Sequence, residues 1–456
     1  MRAPRDSVHA NGITEGVIWK QLLRFFFPIV LGTFFQQLYN TVDAIVVGNY
    51  VSKQALAAVG GTTANLINLL VGFFVGLASG ATVIISQHYG AQDEEGVRRG
   101  VHTSVSLALL GGVGLSVIGY ALTPAGLKLM NTPAEIMPDA QVYMRIYFVG
   151  VVFVLIYNIG SGILRAIGDS RRPLYVLIVC CLSNVVLDLL FVKGMNMGVA
   201  GAAYATMITQ GISAVLVLAM LMKSRDCYRF QPRLLRIDRR LLSDILRIGF
   251  PAGLQSMMYS ISNVFIQSSI NIFGTDVIAG WTAFGKIDNM FWMVMDAFGI
   301  SITTFTGQNI GAHKMDRVRS GIRTCALMAL GFSLAFSGVL ALWGDACVRI
   351  FNSDPAVIYN TLRMMRCTYP YYFTYVIIGV LGGAMRGAGE SLKPMLMVAG
   401  GICLFRIVWI AIARSLGTDV TVMVYSYPTS WALTSVMFII YYVRGKWLLH
   451  ARTLQM

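Results

Sequence analysis

Apolar segments of helix length follow one another along almost the whole of this 456-residue chain. Each is long enough to cross a hydrocarbon core of roughly 30 Å, which takes about 20 helical residues, and the chain has room for about twelve. Only 12% of the residues are charged, whereas a soluble domain carries about 25%. The pattern predicts an all-α membrane protein with twelve transmembrane helices, here called helix 1 to helix 12, and no separate soluble domain.

Positive charge is concentrated on one side of these predicted crossings. Of the 36 Lys and Arg residues, 26 fall in the two termini and the loops on the same side, 8 fall on the other side, and Lys286 and Arg406 lie within helices. An excess of Lys and Arg marks cytoplasmic segments, so both termini are predicted to be cytoplasmic in a plasma (inner) membrane. Topology accounts for the net charge of +15, and no nucleic-acid partner is expected.

The two halves of the chain repeat three features in register. The corresponding pairs are Pro28 and Pro251, SQHYGA at 86–91 and GQNIGA at 307–312, and LRAIGDSRRP at 164–173 and MRGAGESLKP at 385–394. An even number of helices per half preserves orientation, so these pairs predict two parallel six-helix repeats, of the kind that enclose a central cavity. We place an N-lobe at 1–222, a basic cytoplasmic linker at 223–247 and a C-lobe at 248–456. A regulatory role for the linker is the open alternative to a topological one.

Polar side chains lie deep in four helices of the first half. At 1.5 Å per residue, five of them share one level in the outer half of the N-lobe: Asp43, Asn158, Asn184, Asp188 and Thr206. Ionisable groups at that depth are costly and usually functional. Carboxylate, amide and hydroxyl oxygens are the donors that a hard cation such as Na⁺ takes, and a proton could bind the same carboxylates. The sequence predicts a coupling-cation site here, with hydrogen bonding between helices as the alternative role of Asn158, Asn184 and Thr206.

The second half carries a different set of charges. Phe405 and Trp409 stand opposite Asn184 and Asp188, so no equivalent cation site is expected there. Its intramembrane charges are Lys286, Asp288 and Asp296 in helix 8 and Arg406 in helix 11. We expect neutralising pairs between these helices, with a substrate site as the alternative. Asp296 is the best candidate there for a second cation-attracting group.

No catalytic motif is recognisable in the chain. HExxH and GxSxG are absent and the five histidines are scattered, so we expect neither enzymatic activity nor a cofactor. The seven cysteines have no CxxC spacing and are expected to be reduced and structural. The string GFFVGLASG at 72–80 predicts a close contact between helices of one bundle, and a monomer is expected.

Four strings resemble the multidrug and toxic compound extrusion (MATE) family. They are QQLYNTVDAIVVGNYV at 36–51, YNIGSGILRAIGDSRRP at 157–173, SNVVLD at 183–188 and GQNIGA at 307–312. The resemblance runs from about Thr14 to Trp447 and implies a two-lobed secondary transporter of twelve helices. It implies export of small organic cations across the lipid bilayer in exchange for Na⁺ or H⁺. A lipid-linked oligosaccharide or lipid flippase of the same superfamily is the alternative, although it would be expected to line its cavity with more basic residues.

The resemblance also assigns residues. Asp43, Asn158, Asn184, Asp188 and Thr206 match the N-lobe cation site of the family's bacterial and archaeal branch, and Pro28 matches a helix 1 proline linked there to bending. Gln255 departs from another branch that has an acid in helix 7, so no C-lobe coupling site is implied. Candidate cavity contacts, with packing as their alternative role, are Gln36, Tyr39, Asn40, Asn68, Tyr259 and Asp296.

Overall fold

All the regular structure in the described part of the chain is helical. The computed structural model describes residues 13–130, 132–417, 419–445 and 447. The helices of the first half are α1 (Ile18–Tyr50), α2 (Lys53–Gly60), α3 (Thr62–Gly90), α4 (Glu94–Leu129), α5 (Met137–Ala166), α6 (Arg171–Asp188) and α7 (Gly198–Lys223). Those of the second half are α8 (Arg239–Ile270), α9 (Thr275–Gly311), α10 (Met315–Arg349), α11 (Pro355–Thr368), α12 (Tyr372–Gly387), α13 (Leu392–Val398), α14 (Phe405–Ser415), α15 (Val420–Val424) and α16 (Ser426–Val443).

The sixteen α-helices in these described ranges correspond to the twelve predicted crossings, because four crossings are broken into two pieces. The broken pairs are α2 with α3, α11 with α12, α13 with α14, and α15 with α16. In the crossing formed by α11 and α12, the break is a 3₁₀ turn at Tyr369–Tyr371. Pro370 in this turn cannot donate the helical hydrogen bond. In the crossing formed by α13 and α14, a π-helical turn at Ala399–Leu404 separates the two pieces.

Length and composition identify eight of the described helical segments as able to cross a membrane. They are Ile18–Tyr50, Leu66–Gly90, Glu94–Leu129, Met137–Ala166, Arg171–Gly194, Gly198–Lys223, Met315–Arg349 and Leu392–Ser415. The other four predicted crossings fall on α8, α9, α12 and α16. Of these, α12 has only 16 residues, and α16 buries the hydroxyls of Ser426, Ser430 and Thr434.

The chain forms two compact units whose limits fall inside helices. The N-unit is Phe27–Gly253, and the C-unit is Leu254–Met456 together with the residues up to Phe26. The division passes through α1 and α8, in each case within two residues of the proline inside the helix, Pro28 and Pro251. The sequence-based limits of the lobes, 1–222 and 248–456, therefore remain a prediction about the repeats and differ from the limits of the units.

A close contact between α3 and the start of α8 lies within the N-unit. A Cβ atom on Gly76 would lie 2.3 Å from the backbone nitrogen of Gly253, and one on Gly80 would lie 2.2 Å from the backbone oxygen of Ile245. A Cβ atom on Gly249 would in turn lie 2.5 Å from the backbone oxygen of Leu77. The helix contact predicted from the glycines at 72–80 is thus present, and only glycine allows the two backbones to approach this closely.

The segment before α1 is held within the C-unit by basic side chains at the start of α10. The Arg317 guanidinium donates to the backbone oxygens of Ile13, Glu15 and Gly16, at 3.2, 2.7 and 2.8 Å. Lys314 Nζ donates to the backbone oxygen of Thr14 at 3.0 Å. Further along, Phe26 stacks on Phe298 of α9 with ring centroids 4.3 Å apart. These contacts therefore hold the segment before α1, and α1 as far as Phe26, within the C-unit.

Candidate functional site

An apolar cluster brings together the helix ends that surround Asp43. Val46 and Val47, on the turn after Asp43, pack with side chains of α5, α7 and the π-helical turn Leu189–Gly194 that continues α6. The buried members of this cluster are Val46, Val47, Ala55, Val59, Tyr143, Val192, Val199, Ala202 and Ala203. Burial of this apolar surface stabilises the convergence of the helices, and it places Asp43 among them with only 9% of its surface exposed.

Asp188 is the last residue of α6 and is fully buried. The π-helical turn starts directly after it, at Leu189, and π turns of this kind are frequent at functional sites. Asn184 lies one helical turn earlier and is also fully buried. The sequence spacing of four places these two side chains on one face of the helix, and the structure shows that both are removed from solvent.

Several atoms of these side chains have no protein partner. Neither carboxylate oxygen of Asp188, nor Oδ1 of Asp43, nor the amide nitrogen and oxygen of Asn184 has a hydrogen-bond partner among the described residues. Buried polar atoms are normally hydrogen-bonded, because desolvation without a partner costs about 1–3 kcal/mol for each. Such a concentration of free acceptors is the arrangement expected where a cation binds.

Interactions between side chains relate three of the predicted site residues to one neighbouring tyrosine. Asp188 and Asp43 interact electrostatically with each other. The Tyr143 hydroxyl lies near the Thr206 side chain and interacts electrostatically with Asp43. Asp43 and Asp188, from α1 and α6, therefore form one candidate site, with Tyr143 of α5 and Thr206 of α7 near it.

Asn158 is not joined to these groups by any described contact. Its amide nitrogen donates to the backbone oxygen of Val154 at 2.9 Å, one turn earlier in α5. This bond fixes the side chain against its own helix and leaves Oδ1 as the atom that could act as a ligand. The place of Asn158 in the cation site therefore stays a prediction.

Two side chains near the site, Tyr143 and Gln210, are not predicted from the sequence, and a third, Tyr39, is predicted only as a contact of the substrate cavity. Depth and charge do not point to Tyr143, although a buried tyrosine needs a partner for its hydroxyl, and this need is a signal that the sequence offers. Tyr39, a candidate contact of the substrate cavity, is buried and interacts electrostatically with Asp43. Its hydroxyl accepts a hydrogen bond from Gln210 Nε2 at 3.5 Å. Gln210, on α7, is likewise not singled out by the sequence.

The donor set suits a hard cation only if neutral oxygens take part. In the described part of the chain no group of three or more His, Cys, Asp and Glu side chains is arranged to hold a metal ion. Asp43 and Asp188 would thus supply the charge, and amide, hydroxyl or backbone oxygens would have to complete the shell of a Na⁺ ion. A proton needs no such shell and could be held by the carboxylates alone.

The remaining cavity candidates differ in exposure. Asn40, Asn68 and Asp296 are exposed, while Gln36 and Tyr259 are partly buried. A side chain must be exposed to contact a substrate, so Asn40, Asn68 and Asp296 remain predicted contacts of the substrate cavity. Asp296 interacts electrostatically with Arg386 of α12, a partner that the sequence does not indicate.

The predicted ion pair between the charged helices of the C-unit is not formed. Asp288 accepts hydrogen bonds from Tyr372 and, at 2.6 Å, from Trp292 Nε1. Arg406 donates instead to Ser430 Oγ at 2.9 Å. Asp288 and Arg406 interact electrostatically but have different hydrogen-bond partners. Lys286 is exposed and lies 5.8 Å from the ring centre of Phe351, so it too has a different partner from the one expected.

Comparisons with known proteins agree on one family and one fold. The MatE family model matches the chain twice, over residues 28–190 and 251–412, which supports the predicted repeat. The chain is 30% identical to the probable multidrug resistance protein YpnP of Bacillus subtilis, over 85% of this chain and 86% of that protein. It is 28% identical to the probable multidrug resistance protein NorM of Thermotoga maritima, over 83% and 82%.

A solved structure shows the same arrangement of helices. It is that of a MOP superfamily transporter from Pyrococcus furiosus, which matches with a TM-score of 0.89 and 22% identity, over 99% of this chain and 100% of that one. The binding pocket of that protein has reversed polarity, which suggests a different function for it. The likeness confirms the all-α fold of two repeats, while the charge of the substrate has to be argued from the side chains of this chain.

Proposed function

This chain belongs to the MatE family of membrane transporters, and we propose that it is a secondary active multidrug exporter that expels organic cations in exchange for Na⁺ or H⁺. The observation that carries the proposal is the pair Asp43 and Asp188. They lie on two different helices, are buried, interact with each other and keep oxygens without protein partners. Two buried acids in this state need a positive partner, because an uncompensated buried charge is strongly unfavourable.

Exchange follows from the two ligands preferring different states of the protein. A coupling ion that binds Asp43 and Asp188 removes their negative charge and so weakens the attraction for a positively charged substrate. Release of the ion restores that attraction. Coupling requires only that each ligand has a different affinity for the two states, since the free energy of coupling is reciprocal. Alternation of access between the two sides of the membrane then converts an ion gradient into export.

The proposed substrates are organic cations because the candidate contacts that are exposed are neutral or acidic. Asn40, Asn68 and Asp296 offer amide and carboxylate oxygens to a ligand. The relatives named as probable multidrug resistance proteins support a broad range of substrates. We further propose that the chain works as a monomer in the plasma membrane with both termini in the cytoplasm, as the distribution of Lys and Arg indicates.

The test is resistance conferred on a drug-sensitive host that lacks its own exporters. Asp43→Asn and Asp188→Asn keep the size of each side chain and remove its charge, so each is expected to abolish resistance to cationic dyes while the protein is still made. Asp316→Asn is the control, because Asp316 is exposed at the start of α10. Resistance that survives both Asp43→Asn and Asp188→Asn would exclude the pair from the mechanism.

The coupling ion is identified by transport in proteoliposomes. Efflux of a cationic dye is measured under an imposed Na⁺ gradient at constant pH, and then under an imposed pH gradient without Na⁺. Efflux driven by one gradient and lost in Asp188→Asn identifies the ion. Efflux that neither gradient drives would contradict ion exchange altogether.

A further inference from the structure

Arg406 is a buried cation in an aromatic environment. The residue lies in α14 with 3% of its surface exposed. Its guanidinium carbon is 3.9 Å from the ring centre of Tyr427 and 5.8 Å from that of Trp431. Its Nε donates to Ser430 Oγ at 2.9 Å. All three partners lie on α16, so one helix provides two aromatic faces and a hydroxyl to a single guanidinium.

The Asp288 carboxylate is hydrogen-bonded to two aromatic side chains that pack on Trp431. Asp288 is held by the Tyr372 hydroxyl and the Trp292 indole, and both rings pack on Trp431, with centroids 5.9 and 5.7 Å away. Asp288 interacts electrostatically with Arg406. We call the three residues that contact the guanidinium, together with this more distant carboxylate, the Arg406 box: Asp288, Tyr427, Ser430 and Trp431.

These groups are the ones that a protein uses to bind an organic cation. Aromatic faces attract guanidinium and ammonium ions through the ring quadrupole, and the attraction strengthens when the cation is desolvated. A guanidinium also stacks its plane on a ring and donates in that plane. A nearby carboxylate adds long-range attraction, which is strong where water is excluded. The Arg406 box is therefore a complete cation site whose ligand is covalently attached.

The internal repeat gives this site a counterpart in the N-unit. The motif directly before the two helices is offset by 221 positions, at 164–173 and 385–394, so Phe405 corresponds to Asn184 and Arg406 is the next residue of the same helix. Each of the two helices contains a π-helical turn, although the turns are not at equivalent positions: one follows Asp188 at Leu189–Gly194 and the other precedes α14 at Ala399–Leu404. The helices that complete the two sites, α7 and α16, are likewise the last of their repeats. The second repeat thus has a guanidinium one residue beyond the position of Asn184, on the helix that in the first repeat carries groups without protein partners.

We propose that Arg406 is a built-in ligand, which permanently fills the cation site of the second repeat and so confines cation exchange to the site of Asp43 and Asp188. The confinement rests on the proposed function, whereas the occupation of the Arg406 box by its own guanidinium does not. A built-in ligand also accounts for a buried arginine that, among the described residues, has no carboxylate at hydrogen-bond distance.

Chemical rescue tests the proposal without any measurement of transport. Arg406→Ala removes the guanidinium and leaves the rings, the hydroxyl and the carboxylate in place. The variant is expected to unfold at a lower temperature than the natural protein in detergent. Methylguanidinium chloride at millimolar concentration, compared with NaCl at the same ionic strength, is expected to restore most of the lost Tm. Arg414→Ala is the matched control, because Arg414 lies on the same helix and is exposed, and its Tm should not respond.

Further variants keep the test decisive. Arg406→Gln is measured in the same way if Arg406→Ala does not fold, since Gln is larger and still polar but uncharged. Adding Tyr427→Leu to either variant removes the ring and should abolish the rescue. Adding Asp43→Asn should leave the rescue intact, which separates this proposal from the proposed exchange mechanism. The absence of rescue in both Arg406 variants, or an equal response of the natural protein, would overturn the proposal.

Discussion

Tyr143 shows how a single hydroxyl can connect two sides of the candidate site. It lies near the Thr206 side chain of α7 and interacts electrostatically with Asp43 of α1. The ring is also part of the apolar cluster that surrounds Asp43, so its position is fixed by packing and its hydroxyl by the polar contact. We therefore treat Tyr143 as a positioning residue for the proposed cation site.

Tyr143→Phe is expected to weaken the binding of the coupling cation while leaving the fold intact. The change keeps the packing of the ring and removes the hydroxyl that lies beside Asp43 and Thr206; a loss of about 1 kcal/mol in the positioning of these side chains corresponds to a several-fold change in affinity. The half-saturating concentration of Na⁺ or H⁺ for dye efflux should rise by that factor, with little change in Tm. Tyr175→Phe, at an exposed position of α6, is the control. An unchanged half-saturating concentration would show that the hydroxyl has no role.

Asp93 caps α4 outside the membrane-spanning helices. Its carboxylate accepts from the backbone nitrogen of Gly96 at 2.9 Å and contacts His88 Nδ1 at 2.8 Å. The backbone hydrogen bond from Gly96, with that of His88, holds the pKa of the Asp93 carboxyl below its usual range. A lowered pKa in the folded state means that the stabilisation is present above the ordinary carboxyl pKa of about 3.9. It is lost as the pH falls through the lower value of the folded protein.

Asp93→Ala is expected to lower the Tm at pH 7, by an amount that corresponds to about 1 kcal/mol for a lost helix cap. The difference from the natural protein should begin to shrink below about pH 4, where the unfolded chain binds the proton, and should disappear once the pH falls below the lower pKa of the folded protein. Asp316→Ala is the control, since this acid in the first turn of α10 is exposed and makes only a 3.8 Å contact with Arg319. A Tm difference that is constant from pH 7 to pH 3 would contradict the electrostatic origin of the effect.

The individual residues were predictable where depth and charge were sufficient. Asp43 and Asp188 follow from counting residues from the basic end of each helix, because an acid at that depth is costly to keep and usually functional. Tyr143 does not follow, since a tyrosine in an apolar helix is compatible with packing, an interface position or a ligand. The partners of Asp288 and Arg406 were not predictable because opposite charges suggest a pair, while the aromatic side chains of α12 and α16 are nearer.

At the level of helices, the close contact between α3 and α8 depends on glycines, which have no side chain. Gly76→Ala is expected to lower the Tm, because its Cβ atom would meet backbone atoms of α8 at 2.3 Å and the helices would have to separate. Overpacking of this kind costs about 1–3 kcal/mol. The same change at Gly111, in α4, meets nothing within 4 Å and should leave the Tm unchanged or raise it slightly. Equal Tm values for the two variants would refute the close contact.

The segment fastened by Arg317 gives a second prediction at this level. Arg317→Ala removes the donors to the backbone oxygens of Ile13, Glu15 and Gly16, so the start of α1 should open more often. Amide hydrogen exchange at residues 17–24 is expected to accelerate several-fold, while that of α16 stays the same. Arg319→Ala is the control, because Arg319 is exposed and contacts Asp316 instead. Unchanged exchange in Arg317→Ala would mean that the segment is held by other contacts.

The helices themselves were predictable, but their interruptions were only partly so. Long apolar runs bounded by charges and glycines indicate each crossing, and Pro370 is a visible cause of one break. The π-helical turns at Leu189–Gly194 and Ala399–Leu404 have no comparable signal, because one extra residue in a helical turn leaves the apolar pattern almost unchanged. Their position beside the two polar sites could only come from coordinates.

For the whole molecule, the orientation in the membrane is a prediction from the distribution of Lys and Arg, and it can be tested directly. In a variant without the seven natural cysteines, Arg233→Cys in the basic linker is expected to be shielded from an impermeant maleimide added to intact cells. Asp354→Cys, just before α11, should be labelled under the same conditions. Both positions are exposed in the structure, so access to the protein surface does not differ between them. Labelling of the linker position together with shielding at Asp354 would reverse the proposed orientation.

The overall architecture was largely predictable because it rests on repetition. Three motifs in register indicate two similar halves, and the family model matches each half separately. The limits of the compact units were not predictable, because they depend on which unit the start of α1 and the start of α8 pack against. No sequence pattern at Phe26 or Gly253 marks that change.

The division of α1 between the units has a consequence for biosynthesis. All residues of the N-unit, Phe27–Gly253, have been translated when the ribosome reaches Gly253. The segment before α1 must wait longer, because Lys314 and Arg317, which hold it, lie 300–304 positions further along the chain than their partners. The earliest part of the nascent polypeptide is therefore among the last to find its partners, and it can settle only after the second half has begun to enter the bilayer.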